Sequence, residues 1–276
     1  NVGRLVPQVV YYLDAYAQLL ERGAVAMGDE VDFFVPTGNF GNILAAWYAK
    51  QMGVPIGTLL CASNENRVLT DFISTGVYDI SDRDFVLTPS PSMDILVSSN
   101  LERQLFELTG RDASAIRQWM GDLNEQRRFQ VDAATLAKLQ ADFKGGSISN
   151  EECLATIRDV LAEHGYLIDP HTAVAYAVAS QLRGDRPVLV ASTAHWAKFG
   201  DNVYRALHGI APGDPLPPDA AALTGCQLND LITAETGKGA IPAALAQLDQ
   251  LPARFSEVID GSPDAIEQAT LSFLAR

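Results

Sequence analysis

The chain is poor in cysteine, with Cys61, Cys153 and Cys226 as its three thiols in 276 residues. An odd number at wide spacing builds no disulfide framework, and reduced thiols fit a cytoplasmic compartment. Positive charge is also scarce: 20 Lys and Arg stand against 34 Asp and Glu, a formal net charge of −14. A field of that sign repels polyphosphate backbones and argues against nucleic acid as a partner. No apolar run approaches a membrane span, so no membrane partner is expected. No signal peptide opens the chain, but a sequence that begins without Met carries no weight on that point. His164, His171, His195 and His208 show no ligand spacing with cysteines or carboxylates, and no metal is expected. Neither a G-x-G-x-x-G fingerprint nor a Gly-Lys-Ser/Thr nucleotide loop occurs. Thr236-Gly237-Lys238-Gly239 lacks both the leading glycine and the trailing hydroxyl of the latter and reads as a flexible turn. With 47% apolar residues the chain can bury a sizeable core.

What is present starts at Val31. Val-Asp-Phe-Phe-Val-Pro predicts a buried strand, Thr-Gly-Asn-Phe-Gly-Asn follows as a loop, and Ile43 to Met52 predicts a helix that Gly53 and Pro55 stop. Gly38 and Gly41 allow a tight turn and a close ligand, and successive N–H groups with the helix dipole attract an anion. Asn39, Phe40 and Asn42 complete the candidate cradle, with the Phe40 ring as a wall against water. Such a loop is by itself equally compatible with a tight connection that binds nothing.

The surrounding pattern is βαβ. Helix is predicted over Gln8 to Leu20, strand over Ile56 to Ala62, a short helix over Arg67 to Ser74, and a further helix over Ile95 to Leu108. Asp169 is a plausible N-cap, with Pro170 tolerated in the first turn of a helix that Thr172 to Leu182 continues. Val188 to Ala191 predicts a third buried strand. The fold class expected is therefore α/β, an open, mainly parallel sheet with helices on both faces. Residues 1–110 and 166–210 form the expected large cofactor-binding domain. Residues 111–165, with a Gly145-Gly146-Ser147 break and no predicted strand, read as a helical insertion. The Pro-rich stretch Ala211 to Ala220 begins a C-terminal segment, 211–276, of linker and short helices.

Four stretches resemble the threonine synthase family in the family's own order. They are Asn1-Val-Gly-Arg-Leu-Val-Pro-Gln-Val-Val-Tyr-Tyr12, the Thr37-Gly-Asn-Phe-Gly-Asn42 loop, Asp169-Pro-His-Thr-Ala-Val174 and Ser192-Thr-Ala-His-Trp-Ala-Lys-Phe199. The resemblance implies a tryptophan-synthase-β-like fold, the cofactor pyridoxal 5'-phosphate, and conversion of O-phospho-L-homoserine and water to L-threonine and phosphate. It also implies a lysine that carries the cofactor in a Phe-Lys-Asp motif. No such motif occurs in this sequence, so the chain is expected to be the C-terminal part of a longer enzyme, inactive alone. Trp196 departs from the Pro of the family pattern, which leaves the conformation of the following turn open.

By the same resemblance, Gly38 to Asn42 hold the cofactor phosphate, and Thr193, with Ser192 second, serves the ring nitrogen. A hydroxyl at a strand end donates a hydrogen bond without delivering a full proton. Its alternative is to cap the next helix. His171 and His195 fall near the site; a buried histidine satisfying backbone groups is the commoner role for each, and acid or base work is the alternative. Two other functions stay open, a related pyridoxal-phosphate lyase acting on a phosphorylated amino acid and a catalytically silent binding module.

Overall fold

Val31 to Pro36 forms the strand that its β-branched and aromatic residues predict, buried at all six positions (β1, Val31–Pro36). The computed structural model describes residues 2–252 and 256–275 and places the chain in two compact units, Asn1–Ala240 and Ile241–Arg276. Before β1 lie helices α1 (Val2–Leu5) and α2 (Val9–Glu21). After it come α3 (Gly41–Gln51), β2 (Ile56–Ser63), α4 (Val68–Thr75), β3 (Val77–Asp79), α5 (Leu101–Leu108), α6 (Ala113–Gln126), β4 (Arg128–Gln130), α7 (Ala133–Asp142) and β5 (Phe143–Ser147). The unit closes with α8 (Asn150–His164), α9 (Pro170–Leu182), β6 (Val188–Val190), α10 (Gly200–His208), α11 (Pro218–Ala221) and α12 (Gly225–Thr236). The second unit holds α13 (Ala243–Ala246) and α14 (Pro263–Leu274). No helix among the described residues is long and apolar enough to cross a membrane.

The main sheet has the order β5-β2-β1-β6, and each neighbouring pair is parallel. Strands β3 and β4 form a separate antiparallel ribbon. Side chains alternate along β1. Val31, Phe33 and Val35 enter a large apolar cluster with α2, α3, α4 and α5. Phe34 and Leu60, fully or nearly fully buried, stand outside that cluster on the opposite face, where α9 contacts all four strands. Helices thus cover both faces, as the βαβ pattern requires. From α1 through the 3-10 turn Val6–Gln8 into α2, Val2, Val6, Val10 and Tyr11 remain more than half exposed, an apolar stripe at helical spacing.

The expectation of a wholly helical 111–165 segment is corrected: Arg128–Gln130 and Phe143–Ser147 are strands, and the second sits in the main sheet beside β2. Gly145 and Gly146 mark no break. A Cβ at Gly145 would lie 2.8 Å from the Thr70 Cα, and one at Gly146 would lie 2.6 Å from Val178 Cγ1. The strand is built of glycine because α4 and α9 press on it from its two sides. Gly145→Val should therefore destabilise the fold by about 3 kcal/mol, since a backbone atom cannot yield to the new side chain. Urea unfolding midpoints of this variant and of the wild type test it, and equal midpoints would contradict this packing. Ile95 to Leu108 is corrected too. Helix α5 begins only at Leu101, because residues 95–100 are taken up in supporting the glycine loop, as described below. Likewise α11 and α12 belong to the first unit, and a helical second unit begins only after Ala240.

Candidate functional site

The loop after β1 is held from behind. Ser98 Oγ donates to the Gly38 carbonyl at 3.0 Å, while the Asn100 side-chain amide and backbone N–H donate to the Asn39 carbonyl at 2.8 and 3.1 Å. In a trans peptide the N–H points opposite to the C=O, so the N–H groups of Asn39 and Phe40 aim away from the 98–100 segment. None of the N–H groups from Gly38 to Asn42 donates to an acceptor among the described residues. They line a cavity of about 220 Å³ at the N-terminus of α3, with Arg4 on its rim. Unpaired amides and a helix N-terminus are together the kind of donor set that favours an anion.

Glycine serves this loop by close approach rather than by unusual dihedrals. A Cβ on Gly38 would stand 3.0 Å from the Ser92 carbonyl oxygen and 3.1 Å from Met93 Cα, and one on Gly41 3.3 Å from the Asn100 amide nitrogen. The left-handed residue is Phe40, at φ 60°. Its ring does not wall the cavity from water as expected. It is 1% exposed and packs on Phe143 with centroids 5.4 Å apart, so Phe40 offers the site its backbone alone. Asn42 is oriented by Tyr12, whose hydroxyl donates to Asn42 Oδ1 at 2.8 Å. Tyr12 lies edge-on to Phe33 at 5.1 Å, and burial raises its pKa well above the ordinary tyrosine value. Tyr12 stays a neutral donor. Asn1, first residue of the motif that contains Arg4 and Tyr12, lies outside the described residues.

A second cavity of about 670 Å³ adjoins the first, sharing Arg4, Gly38, Asn42 and Ser92 with it and reaching Ser192 and Thr193 past the end of β6. The glycine loop and the strand-end hydroxyls, separated by some 150 positions in sequence, therefore face one space, as ligand sites in open parallel sheets do. The strand ends at Val190, one residue earlier than expected. Thr193 Oγ1 makes no hydrogen bond to a described residue, whereas Ser192 Oγ lies 3.2 Å from Thr172 Oγ1.

Behind these hydroxyls is a buried network that the sequence does not display. Asp169 caps α9 as expected, accepting from the N–H groups of His171 and Thr172. Its carboxylate also takes the Thr172 hydroxyl and lies 3.1 Å from His171 Nδ1. His171 Nε2 accepts the Ser92 N–H at 3.1 Å. His171, 2% exposed with Phe199 packed on its ring, is a satisfied buried histidine. His195 is a cap: its Nδ1 accepts the Ala197 N–H at 3.2 Å and orders the turn Trp196–Lys198. That turn forms despite the Trp at 196, whose buried indole lies against Gly239. Cys61 and Cys153 stay outside the chemistry, since burial pushes both thiols up to about 12. No group of three or more His, Cys, Asp or Glu among the described residues could hold a metal ion.

The family model described as threonine synthase, C-terminal, matches residues 172–270. Threonine synthase of Corynebacterium glutamicum is 42% identical over 221 residues, 78% of this chain and 45% of that protein. A solved structure, PLP-bound threonine synthase from Brucella melitensis, aligns with a TM-score of 0.70 at 41% identity over 80% of this chain and 46% of that one. The chain belongs to the threonine synthase family. Threonine synthase-like 1 of Macaca fascicularis is 50% identical over 208 residues, 75% of this chain and 28% of that protein. The chain thus spans less than half the length of each of these threonine synthase relatives. The fold is that of the solved threonine synthases, a parallel sheet covered by helices.

Proposed function

We propose that this chain forms the cofactor-binding part of a pyridoxal 5'-phosphate enzyme that converts O-phospho-L-homoserine and water to L-threonine and phosphate. The observation that carries this reading is the row of unpaired N–H groups from Gly38 to Asn42 facing the same space as Thr193. These donors suit the two ends of the cofactor, a dianionic phosphate and a ring nitrogen, and the space is of the size that such ligands fill. When bound, the cofactor supplies an electron sink for the carbanions formed as protons leave Cα and Cβ of the substrate.

The chain's own residues bind and orient. Backbone amides at the α3 N-terminus hold phosphate oxygens, which a protein of net charge −14 attracts only through such local donors. Thr193 donates to the ring nitrogen without protonating it. Arg4 stands on the rim of both cavities and ion-pairs with no described carboxylate, which suits it to the substrate phosphate. Arg4→Ala should raise KM for O-phosphohomoserine by about 10- to 100-fold, the worth of one or two charge-assisted hydrogen bonds. An unchanged KM would remove Arg4 from substrate binding. A cytoplasmic setting goes with this reading.

The test is product analysis of the full-length enzyme with added cofactor and O-phospho-L-homoserine. Equimolar phosphate and L-threonine are the expected result. The higher identity to a threonine synthase-like protein than to the Corynebacterium enzyme keeps one second reading, a related phospho-lyase. Phosphate released with 2-oxobutyrate and ammonia in place of threonine would select it, and no phosphate at all would point to a silent binding module.

A further inference from the structure

We infer that Asp169 sets the hydrogen-bond polarity of the site, so that Ser192 presents only lone pairs to the cavity and Thr193 is the hydroxyl left to donate. The number of protons on each group fixes these directions, and only the identity of what fills the cavity rests on the cofactor reading above. Asp169 is 1% exposed. Its Oδ1 accepts the N–H groups of His171 and Thr172 at 2.8 and 3.3 Å, and its Oδ2 accepts the Thr172 hydroxyl. A hydroxyl has one proton. With that proton committed to Asp169, Thr172 Oγ1 meets Ser192 Oγ at 3.2 Å as an acceptor, so the Ser192 proton points inward.

The second arm obeys the same rule. A backbone N–H can only donate, so His171 Nε2, which receives the Ser92 N–H at 3.1 Å, carries no proton. A neutral imidazole then has its proton on Nδ1, 3.1 Å from Asp169 Oδ1. One buried carboxylate therefore terminates two donor chains. One begins at the strand-end Ser192. The other begins at Ser92, whose carbonyl oxygen is 3.0 Å from the position of a Cβ on Gly38. Asp169 and Thr172 are in this sense positioning residues: they act on the cavity through Ser192 and through the backbone that abuts the phosphate loop. The consequence is a division of labour between adjacent hydroxyls. Ser192 can only accept from a ligand, and Thr193, with no hydrogen bond to a described residue, can donate.

The test uses pyridoxine 5'-phosphate and its analogue with a ring CH in place of the nitrogen. Neither carries an aldehyde, so binding is non-covalent and is read by calorimetry on the full-length protein. Wild type should prefer the nitrogen-containing probe by about tenfold, one hydrogen bond's worth. Thr193→Ala should abolish the preference, and Ser192→Ala should keep it. In the Thr193→Ala background, Thr172→Val should restore the preference by releasing the Ser192 hydroxyl to the cavity, while Thr172→Ser, which retains the inward acceptor, should not. Loss of the preference in Ser192→Ala, or no difference between the Val and Ser variants, would overturn the inference. A ligand-free readout separates it from the cofactor reading. Long-range proton–nitrogen NMR should show His171 protonated on Nδ1 and bare on Nε2, and the opposite tautomer would overturn the polarity whether or not either probe binds.

Discussion

Gly38→Val should lower affinity for pyridoxal 5'-phosphate by about 100-fold, the loss of two hydrogen bonds to a charged phosphate at about 1.5 kcal/mol each. The reason is the wall behind the loop. Any Cβ at this position meets the Ser92 carbonyl oxygen at 3.0 Å and Met93 Cα at 3.1 Å, and both are backbone. The loop must move toward the cavity, and the N–H groups of Asn39 and Phe40 lose their aim. Gly41→Val should cost less, about tenfold, because its Cβ meets only the end of the Asn100 side chain at 3.3 Å, which can give way. Neither glycine has a left-handed backbone, so the effect is one of space and not of strain. Equilibrium titration with cofactor, beside a urea unfolding curve to show that the variant is folded, measures it. A folded Gly38→Val protein with unchanged affinity would remove the loop from the site.

Asp169→Ala should be the most destabilising substitution in the network, by about 3–5 kcal/mol, the range found when one member of a buried polar group is removed and its partners are left unpaired. The count of orphans is what makes it large. The Thr172 hydroxyl, the His171 ring N–H and the N–H groups of His171 and Thr172 all lose their acceptor, and α9 loses its N-cap. That helix is buried along most of its length and lies against all four strands of the main sheet. Asp169→Asn keeps an oxygen for the helix N–H groups and should recover most of the stability. It places an amide against the Thr172 hydroxyl and so alters the polarity that reaches Ser192. A denaturant-derived loss below about 1 kcal/mol for the alanine variant would show that the carboxylate is not the hub.

Contiguous residues made several elements legible. The β1–loop–α3 unit and the Asp169 cap each depend on residues close together in the chain. The family motifs also imply that the glycine loop and the Ser192-Thr193 pair share one site. Phe143–Ser147 does not read as a strand because, after Phe143, Lys-Gly-Gly-Ser has little strand propensity of its own. Only its neighbours α4 and α9 explain the glycines. Residues 95–100 carried helical periodicity, yet Tyr78 and the glycine loop claim them: the Tyr78 hydroxyl donates to the Leu96 carbonyl at 2.7 Å and accepts the Ser98 N–H at 2.9 Å.

By itself, then, the sequence determined the class of fold, the position of the glycine loop between strand and helix, and the family to which the chain belongs. Each of these is written in short-range patterns of hydrophobicity, glycine and capping residues. The tertiary structure alone decided which donors of the glycine loop remain unpaired among the described residues, and that Phe40 faces the core while Asn42 is steered by Tyr12. Those outcomes depend on contacts such as that of Tyr12 with Asn42, 30 positions apart. A hydrogen bond acts over about 3 Å, and nothing in the local order of residues specifies which distant groups come that close.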